Sequence, residues 1–219
     1  MAQNVLSGLF GQIYRGINKV IYRLVESFDL LAKELGKEKP VISISGISAF
    51  VNEKGEALLK KCLIHIVRNS LDHGIETPEE RVNSGKPPYG TIKVELKREH
   101  DALILSFCDD GRGLNMEKLR KIAVKRGNSE MVSCDEKLGE LVFLPEVSTK
   151  EKVSEISGRG IGMSAIRSYF ESSGGSVKIN LTGGKEGDKF RPFAIRMVMS
   201  SNIFIFDSKW EEMLAKKSA

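Results

Sequence analysis

The chain has 219 residues, 41% of them hydrophobic, and a formal net charge of +5, which suits one ordinary domain plus an extra element. The charges are mixed in sign along the chain, which argues against a dedicated nucleic-acid arm and fits an anionic small ligand or an acidic protein partner. No run approaches the roughly eighteen apolar residues of a membrane span, and the start lacks the apolar block and cleavage site of a secretory signal. The three cysteines, Cys62, Cys108 and Cys134, are odd in number and form no C-x-x-C pair. They read as reduced thiols, so the expected location is the cytoplasm.

Residues 5 to 35 read as one long helix. Leu6, Phe10, Ile13, Ile17, Val20 and Leu24 alternate at spacings of four and three. That seam suits a partner helix, and so a homodimer, or packing on the chain's own domain. Gly36 should end the helix. Pro40 introduces the alternating, β-branched run 41–45, a predicted strand, and residues 46–55 form a turn-rich connection.

Residues 59–76, LKKCLIHIVRNSLDHGIE, then read as a helix. At about 100° per residue, Leu59, Leu63, Ile66, Val67 and Ser70 share one side, suited to packing on a sheet. His65, Arg68, Asn69, Asp72 and His73 share the other. Two imidazoles, an amide, a guanidinium and a carboxylate in one line are not the Lys/Glu mixture of an ordinary solvated face, although a polar face closed by Asp-His-Gly is the plain alternative. Residues 77–89 read as a long polar loop. Predicted strands follow at 91–96 and 103–108, with His100 in the turn between them.

Asp109-Asp110-Gly111-Arg112-Gly113 sits between a strand and a predicted helix at 116–126. Its carboxylate can accept a hydrogen bond from an exocyclic amine such as that of adenine, and its glycines let backbone approach a flat ring. A simple strand-to-helix turn uses the same residues. Residues 127–136 read as loop, 138–144 as a short apolar segment and 145–160 as a polar stretch. Gly158-Arg159-Gly160-Ile161-Gly162-Met163 opens a helix expected to run to about Ser173. Bare N–H groups at a helix start attract phosphate. This is neither a Rossmann fingerprint nor a P-loop, because no βαβ unit surrounds it and G-x-x-x-x-G-K-[ST] is absent. Strands are expected at 176–181, 193–199 and 203–206, and a terminal helix at 207–217. The sum is an α/β two-layer domain, a mixed sheet with helices on one face. Three parts are expected: an N-terminal helix in 1–39, the main domain in 40–206 and the C-terminal helix in 207–219.

An Asn-bearing helix, then D-x-G-x-G, then G-x-G-x-G before another helix resembles the series that marks the GHKL ATP-binding fold. HIVRNSLDHGIE, GKPPYGTI, CDDGRGLN and FLPEVSTKEKVSEISGRGIGM are similar to phrases of the catalytic ATP-binding domain of CheA-type chemotaxis histidine kinases. The resemblance covers about Leu35 to Gly183. It implies ATP and Mg²⁺ as cofactors, with Asn69 holding the metal. It puts His65 where hydrolysing relatives carry a catalytic Glu, a kinase-like choice. Arg68 and His73 would balance phosphate charge, and Asp109 would bind the adenine amine with Gly111 and Gly113 against the ring. Ser148, Thr149 and Lys150 match a segment that folds over the phosphates. Gly158, Gly160 and Gly162, with Ile161 and Met163, match the loop that gives N–H groups to them. The implied function is transfer of the γ-phosphoryl group to a histidine on a separate phosphotransfer domain, with a response regulator downstream. A nucleotide-binding sensor or scaffold and a hydrolysing ATPase are the alternatives. The sequence departs from the family at Glu146-Val147, where Gly-Phe is usual, at Ser164, where Asp is usual, and at Arg191-Pro192, an insertion before the last strand of the fold.

Overall fold

The computed structural model describes residues 5–7, 13–144 and 162–207. In chain order the elements are β1 (Val5–Ser7), β2 (Ile13–Gly16), α1 (Ile17–Glu34), β3 (Val41–Gly46), β4 (Ala49–Val51) and α2 (Glu53–Asn69). A π-helical turn (Ser70–Gly74), α3 (Pro78–Asn83), β5 (Thr91–Glu99), β6 (Ala102–Asp109), β7 (Leu114–Asn115) and α4 (Met116–Lys125) follow. Then come a 3₁₀ turn (Ser129–Ser133), α5 (Asp135–Gly139), a second 3₁₀ turn (Glu140–Phe143) and α6 (Met163–Ser172). Strands β8 (Ser176–Leu181), β9 (Phe190–Arg191), β10 (Phe193–Met199) and β11 (Phe204–Phe206) complete the described chain.

The main sheet has five strands in the order β3-β5-β6-β10-β8. Only β3 and β5 run parallel; the other three pairs are antiparallel. Alternation along each strand sends one set of side chains inward. Ile92, Val94 and Leu96 of β5, Leu103, Leu105 and Phe107 of β6, and Ile195, Met197 and Met199 of β10 are all buried. They share one core with Ile21, Leu24 and Phe28 of α1, Leu59, Leu63, Ile66 and Val67 of α2, and Ile166 and Phe170 of α6. The two-layer α/β reading therefore holds, and the predicted inner stripe of α2 is the buried one. Met116, Leu119 and Ala123 of α4 form a smaller cluster with Leu138 and Leu141. No helix among the described residues is long and apolar enough to cross a membrane.

Four expectations need correction; one is that residues 46–55 are not only a turn-rich connection, because they hold β4 and the start of α2 at Glu53. Residues 5–35 are not one helix: Leu6 pairs with Tyr14 across a β1–β2 hairpin, and α1 starts at Ile17. Glycines at 8, 11 and 16 each cost a helix about 1 kcal/mol, while β4 offers β2 a ladder through Arg15↔Val51. Of the two readings of the apolar seam, packing on the chain's own domain is observed, with Ile17, Val20 and Leu24 buried in the core. Residues 77–89 are not all loop. Thr77 and Glu80 form a reciprocal capping box with Pro78 in the first turn, and α3 results. Residues 203–206 contain a strand, but it pairs with β4 in a second sheet ordered β1-β2-β4-β11. The predicted terminal helix lies outside the described residues, apart from Asp207.

Candidate functional site

The site is built at the C-terminal end of α2. Asn52 caps the other end by accepting the Gly55 N–H at 3.0 Å. From that fixed start the helix presents His65 and Asn69, one turn apart and both half-buried, with Arg68 and His73 exposed. After Asn69 the helix widens: the Ile75 N–H donates to Ser70 O at 2.7 Å, a π-type bond. Such turns recur at functional sites, because the extra residue redirects side chains without breaking the backbone ladder. Here it turns Ser70 inward and sets Gly74 against the end of β6. Lys37 satisfies the carbonyls the widening leaves over, donating to Leu71 O and Ile75 O. Burial lowers the Lys37 pKa, an effect the Asp72 carboxylate partly offsets. His73 Nε2 lies 3.4 Å from Asp72 Oδ2.

The second predicted motif docks onto that turn. A Cβ on Gly74 would stand 3.1 Å from both Asp109 carboxylate oxygens, and one on Gly111 would stand 2.3 Å from the Gly74 carbonyl. Neither position therefore accepts a side chain without moving backbone or the carboxylate. The Arg112 N–H donates to Gly74 O at 3.0 Å and locks the two turns together. Gly113 takes φ +81 and lies against the Arg191 backbone, where β7 pairs with β9. Asp109 accepts the Gly111 N–H at 3.0 Å and a hydrogen bond from Ser70. Burial nonetheless raises its pKa above the ordinary 3.8, the hydrogen bonds opposing that shift. His65 moves the other way: burial first, then the Arg68 and Lys61 charges, lower its pKa below 6.5. The ring is therefore neutral near pH 7 and able to accept a proton.

Of the third motif, Gly162 and Met163 are described. Gly162 caps α6 with φ -75 and ψ 177, and α6 begins at Met163. The Lys61 ammonium lies 3.6 Å above the Tyr169 ring, joining α2 to α6. Ser148, Thr149, Lys150, Gly158, Gly160 and Ile161 lie outside the described residues.

The sequence reading missed the support behind Asp109. Arg81, fully buried, donates to Asp110 Oδ2 at 2.9 Å, Glu76 Oε2 at 3.0 Å and Pro87 O at 2.8 Å. Asp110 also accepts the Thr91 N–H at 2.8 Å, and Lys86 bridges Glu76 and the Asp110 carbonyl. The T-P-E-E capping box was the available signal, since a helix there places Arg81 one turn in. Burial raises the Cys62 pKa to about 12, and all three cysteines are free.

Among the described residues no group of three or more His, Cys, Asp or Glu could hold a metal. Asn69 offers a single hard amide oxygen. That donor set fits Mg²⁺, which keeps several waters and binds through one or two protein oxygens plus phosphates. Gly74, Gly111 and Asp109 pack directly on one another, which brings the Asp109 carboxylate to the turn that follows Asn69.

Residues 55–197 match the family described as histidine kinase-, DNA gyrase B-, and HSP90-like ATPase. The chain is 34% identical over 174 residues to the chemotaxis protein CheA of Bacillus subtilis, covering 77% of this chain and 26% of that protein. It is 34% identical over 159 residues to the gliding motility regulatory protein of Myxococcus xanthus, covering 71% and 20%. The chain thus spans about a quarter or less of the length of these relatives. Among solved structures, the catalytic domain of histidine kinase ThkA matches 87% of this chain and 95% of its own, with TM-score 0.53 and 16% identity. The mycobacterial sensor histidine kinase MprB matches 85% and 95%, with TM-score 0.51 and 14% identity. These structural likenesses show the fold.

Proposed function

The chain belongs to the histidine kinase-, DNA gyrase B-, and HSP90-like ATPase family, and we propose that it is the ATP-binding catalytic unit of a chemotaxis-type histidine kinase. In this reading it transfers the γ-phosphoryl group of Mg-ATP to a histidine on a separate phosphotransfer domain, for onward transfer to a response regulator. The observation that carries it is the contact of Gly74 with Asp109 and Gly111. This joins the turn after Asn69 to the carboxylate suited to an adenine amine, so one nucleotide can be held at both ends.

Asp109, ionised, accepts the adenine amine, with Gly111 and Gly113 allowing the ring to lie on backbone. Asn69 offers its amide oxygen to Mg²⁺, which when bound neutralises phosphate charge and orients the triphosphate. Arg68 and His73 add positive charge or donors at the rim. Gly162 and Met163 open α6, whose N-terminal end carries a partial positive charge and would meet the phosphates, with Gly158, Gly160 and Ile161 adding backbone N–H groups. Ser148, Thr149 and Lys150 would supply hydroxyl and ammonium donors to the phosphates. The acceptor imidazole nitrogen attacks the γ-phosphorus as the bond to the β-γ bridging oxygen breaks, and ADP departs with the electron pair. The proton on the other ring nitrogen is then lost, and neutral His65 would be its acceptor, directly or through water. The chain's own contribution is positioning and electrostatic stabilisation.

Calorimetric titration with ATP, with and without Mg²⁺, on wild type and Asn69→Ala tests the pocket. Magnesium-dependent binding that disappears in the variant is the expected result; no binding in either condition overturns the reading. Labelled phosphate moving from ATP to a purified phosphotransfer domain then tests the reaction. Phosphate release without an acceptor would instead identify a hydrolase, and binding without either reaction a nucleotide sensor.

A further inference from the structure

We propose that Arg167, Glu140 and Phe143 form a positioning device that sets where α6 begins, and with it the phosphate end of the nucleotide site. This rests on the kinase-type nucleotide reading above. Helix α6 has ten residues, and its buried side chains are Ile166 and Phe170. Those two hold its middle and end. Its first turn, Met163 to Ala165, is half-buried, with Met163 packed against the edge of the core. Side chains on a helix lean toward its N-terminus, so the long Arg167 side chain reaches back over this first turn.

There the guanidinium makes three contacts with two elements, the second 3₁₀ turn and β8. It donates to the Glu140 carboxylate at the start of the second 3₁₀ turn and to the Val177 carbonyl of β8 at 3.3 Å. It also stacks 3.9 Å from the centre of the Phe143 ring, which is itself buried. The other Glu140 oxygen accepts the Ile179 N–H at 2.8 Å, and Ile179 is paired with Ile195 in the middle of β10. A rigid path therefore runs from the sheet through Glu140 to Arg167 and into the first turn of α6. A planar fork that also stacks on a ring fixes direction as well as distance, which a lysine ammonium cannot do.

The device acts through α6, so its loss should be felt by phosphates and not by the adenine ring, which is held at Asp109 on the other motif. Affinities for ATP and for adenosine, measured by competition against one fluorescent adenine nucleotide, separate the two ends. In Arg167→Met, ATP affinity should fall by about ten-fold or more while adenosine affinity stays within about two-fold of wild type. Arg167→Lys and Glu140→Gln keep most of the volume and should give intermediate losses with the same bias toward ATP; they carry the test if the Met variant does not fold. An equal fall for ATP and adenosine means a loss of folded protein and overturns the proposal, as does unchanged ATP affinity. Wild-type protein that binds neither ligand removes the nucleotide reading itself, an outcome distinct from variants that bind ATP as wild type does.

Discussion

In the proposed nucleotide site Asp109 sets stability against binding. Its pKa is raised because burial penalises the charge more than Ser70 and Gly111 reward it. Keeping it ionised at neutral pH therefore costs stability, a cost relieved as pH falls through the raised pKa. Asp109→Asn retains an acceptor for the Gly111 N–H and removes the charge. We expect its thermal midpoint to equal or exceed that of wild type, by calorimetry, while ATP affinity falls by about 10- to 100-fold, the worth of a hydrogen bond to a charged group. A variant that loses stability and keeps affinity would show that Asp109 is structural. In wild type, nucleotide affinity should decline with acidification at a higher pH than an ordinary Asp would give, because the amine needs the carboxylate as acceptor. His65 works in the opposite sense. Its folded pKa lies below 6.5, so the unfolded chain takes the proton first. Its stability contribution is full above 6.5 and lost as pH falls through the folded value. If neutral His65 assists transfer, the acid limb of the transfer rate lies below pH 6.5, and His65→Gln lowers the rate and abolishes that limb in a pH profile.

At the scale of elements, the π-helical turn and α3 decide whether the motif residues meet. Arg81 is fully buried between Glu76 and Asp110. Removing one partner of such a group leaves the others unpaired, so Arg81→Met should cost about 3 kcal/mol in chemical denaturation. Arg81→Lys should recover little of it, because one ammonium cannot replace a fork with three acceptors. Lys37→Met leaves Leu71 O and Ile75 O without their ammonium donor. A loss of about 1–3 kcal/mol is expected, with hydrogen exchange rising first at Ile75, whose N–H closes the π turn. Exchange confined to the chain termini would show that Lys37 does not hold the turn.

Across the whole molecule, the second sheet ties both ends of the described chain to the start of α2. Arg15 of β2 pairs with buried Glu56, which Lys60 also meets at 2.6 Å. Asn52 donates to Asn202 O at 2.9 Å, and its own N–H donates to Ile203 O at 3.1 Å. A Cβ at Gly55 would stand 2.5 Å from Ile203 O. Ending the chain after Met199 removes these acceptors and the buried Phe204 and Phe206. Burial of two such rings alone is worth about 3–6 kcal/mol. The shortened chain should therefore unfold at markedly lower temperature and, since α2 carries Asn69, bind Mg-ATP more weakly even where it remains folded. Full stability after truncation would show that this sheet is independent of the catalytic layer.

Much of this was legible along the chain because it depends on local periods and short spacings. Period-2 and period-3.6 patterns located β5, β6, β8, β10 and the buried stripe of α2, since each such element must turn one apolar face to a common core. The three motifs were visible because backbone approach needs glycine and charge recognition needs Asn, Asp and His at set offsets. Contacts between distant residues were not visible. The seam of residues 5–35 has helical spacing throughout, yet β4 offers 13–16 a ladder that local propensity cannot anticipate. Arg81 meets Asp110 and Arg167 meets Glu140 across 29 and 27 residues, respectively, and no local pattern selects one carboxylate among many. The sequence alone determined which residue types could recognise a nucleotide. Only the tertiary structure decided that Gly74, Gly111 and Asp109 share one cradle, because contact between distant turns is set by sheet order and helix packing, which the local pattern does not encode.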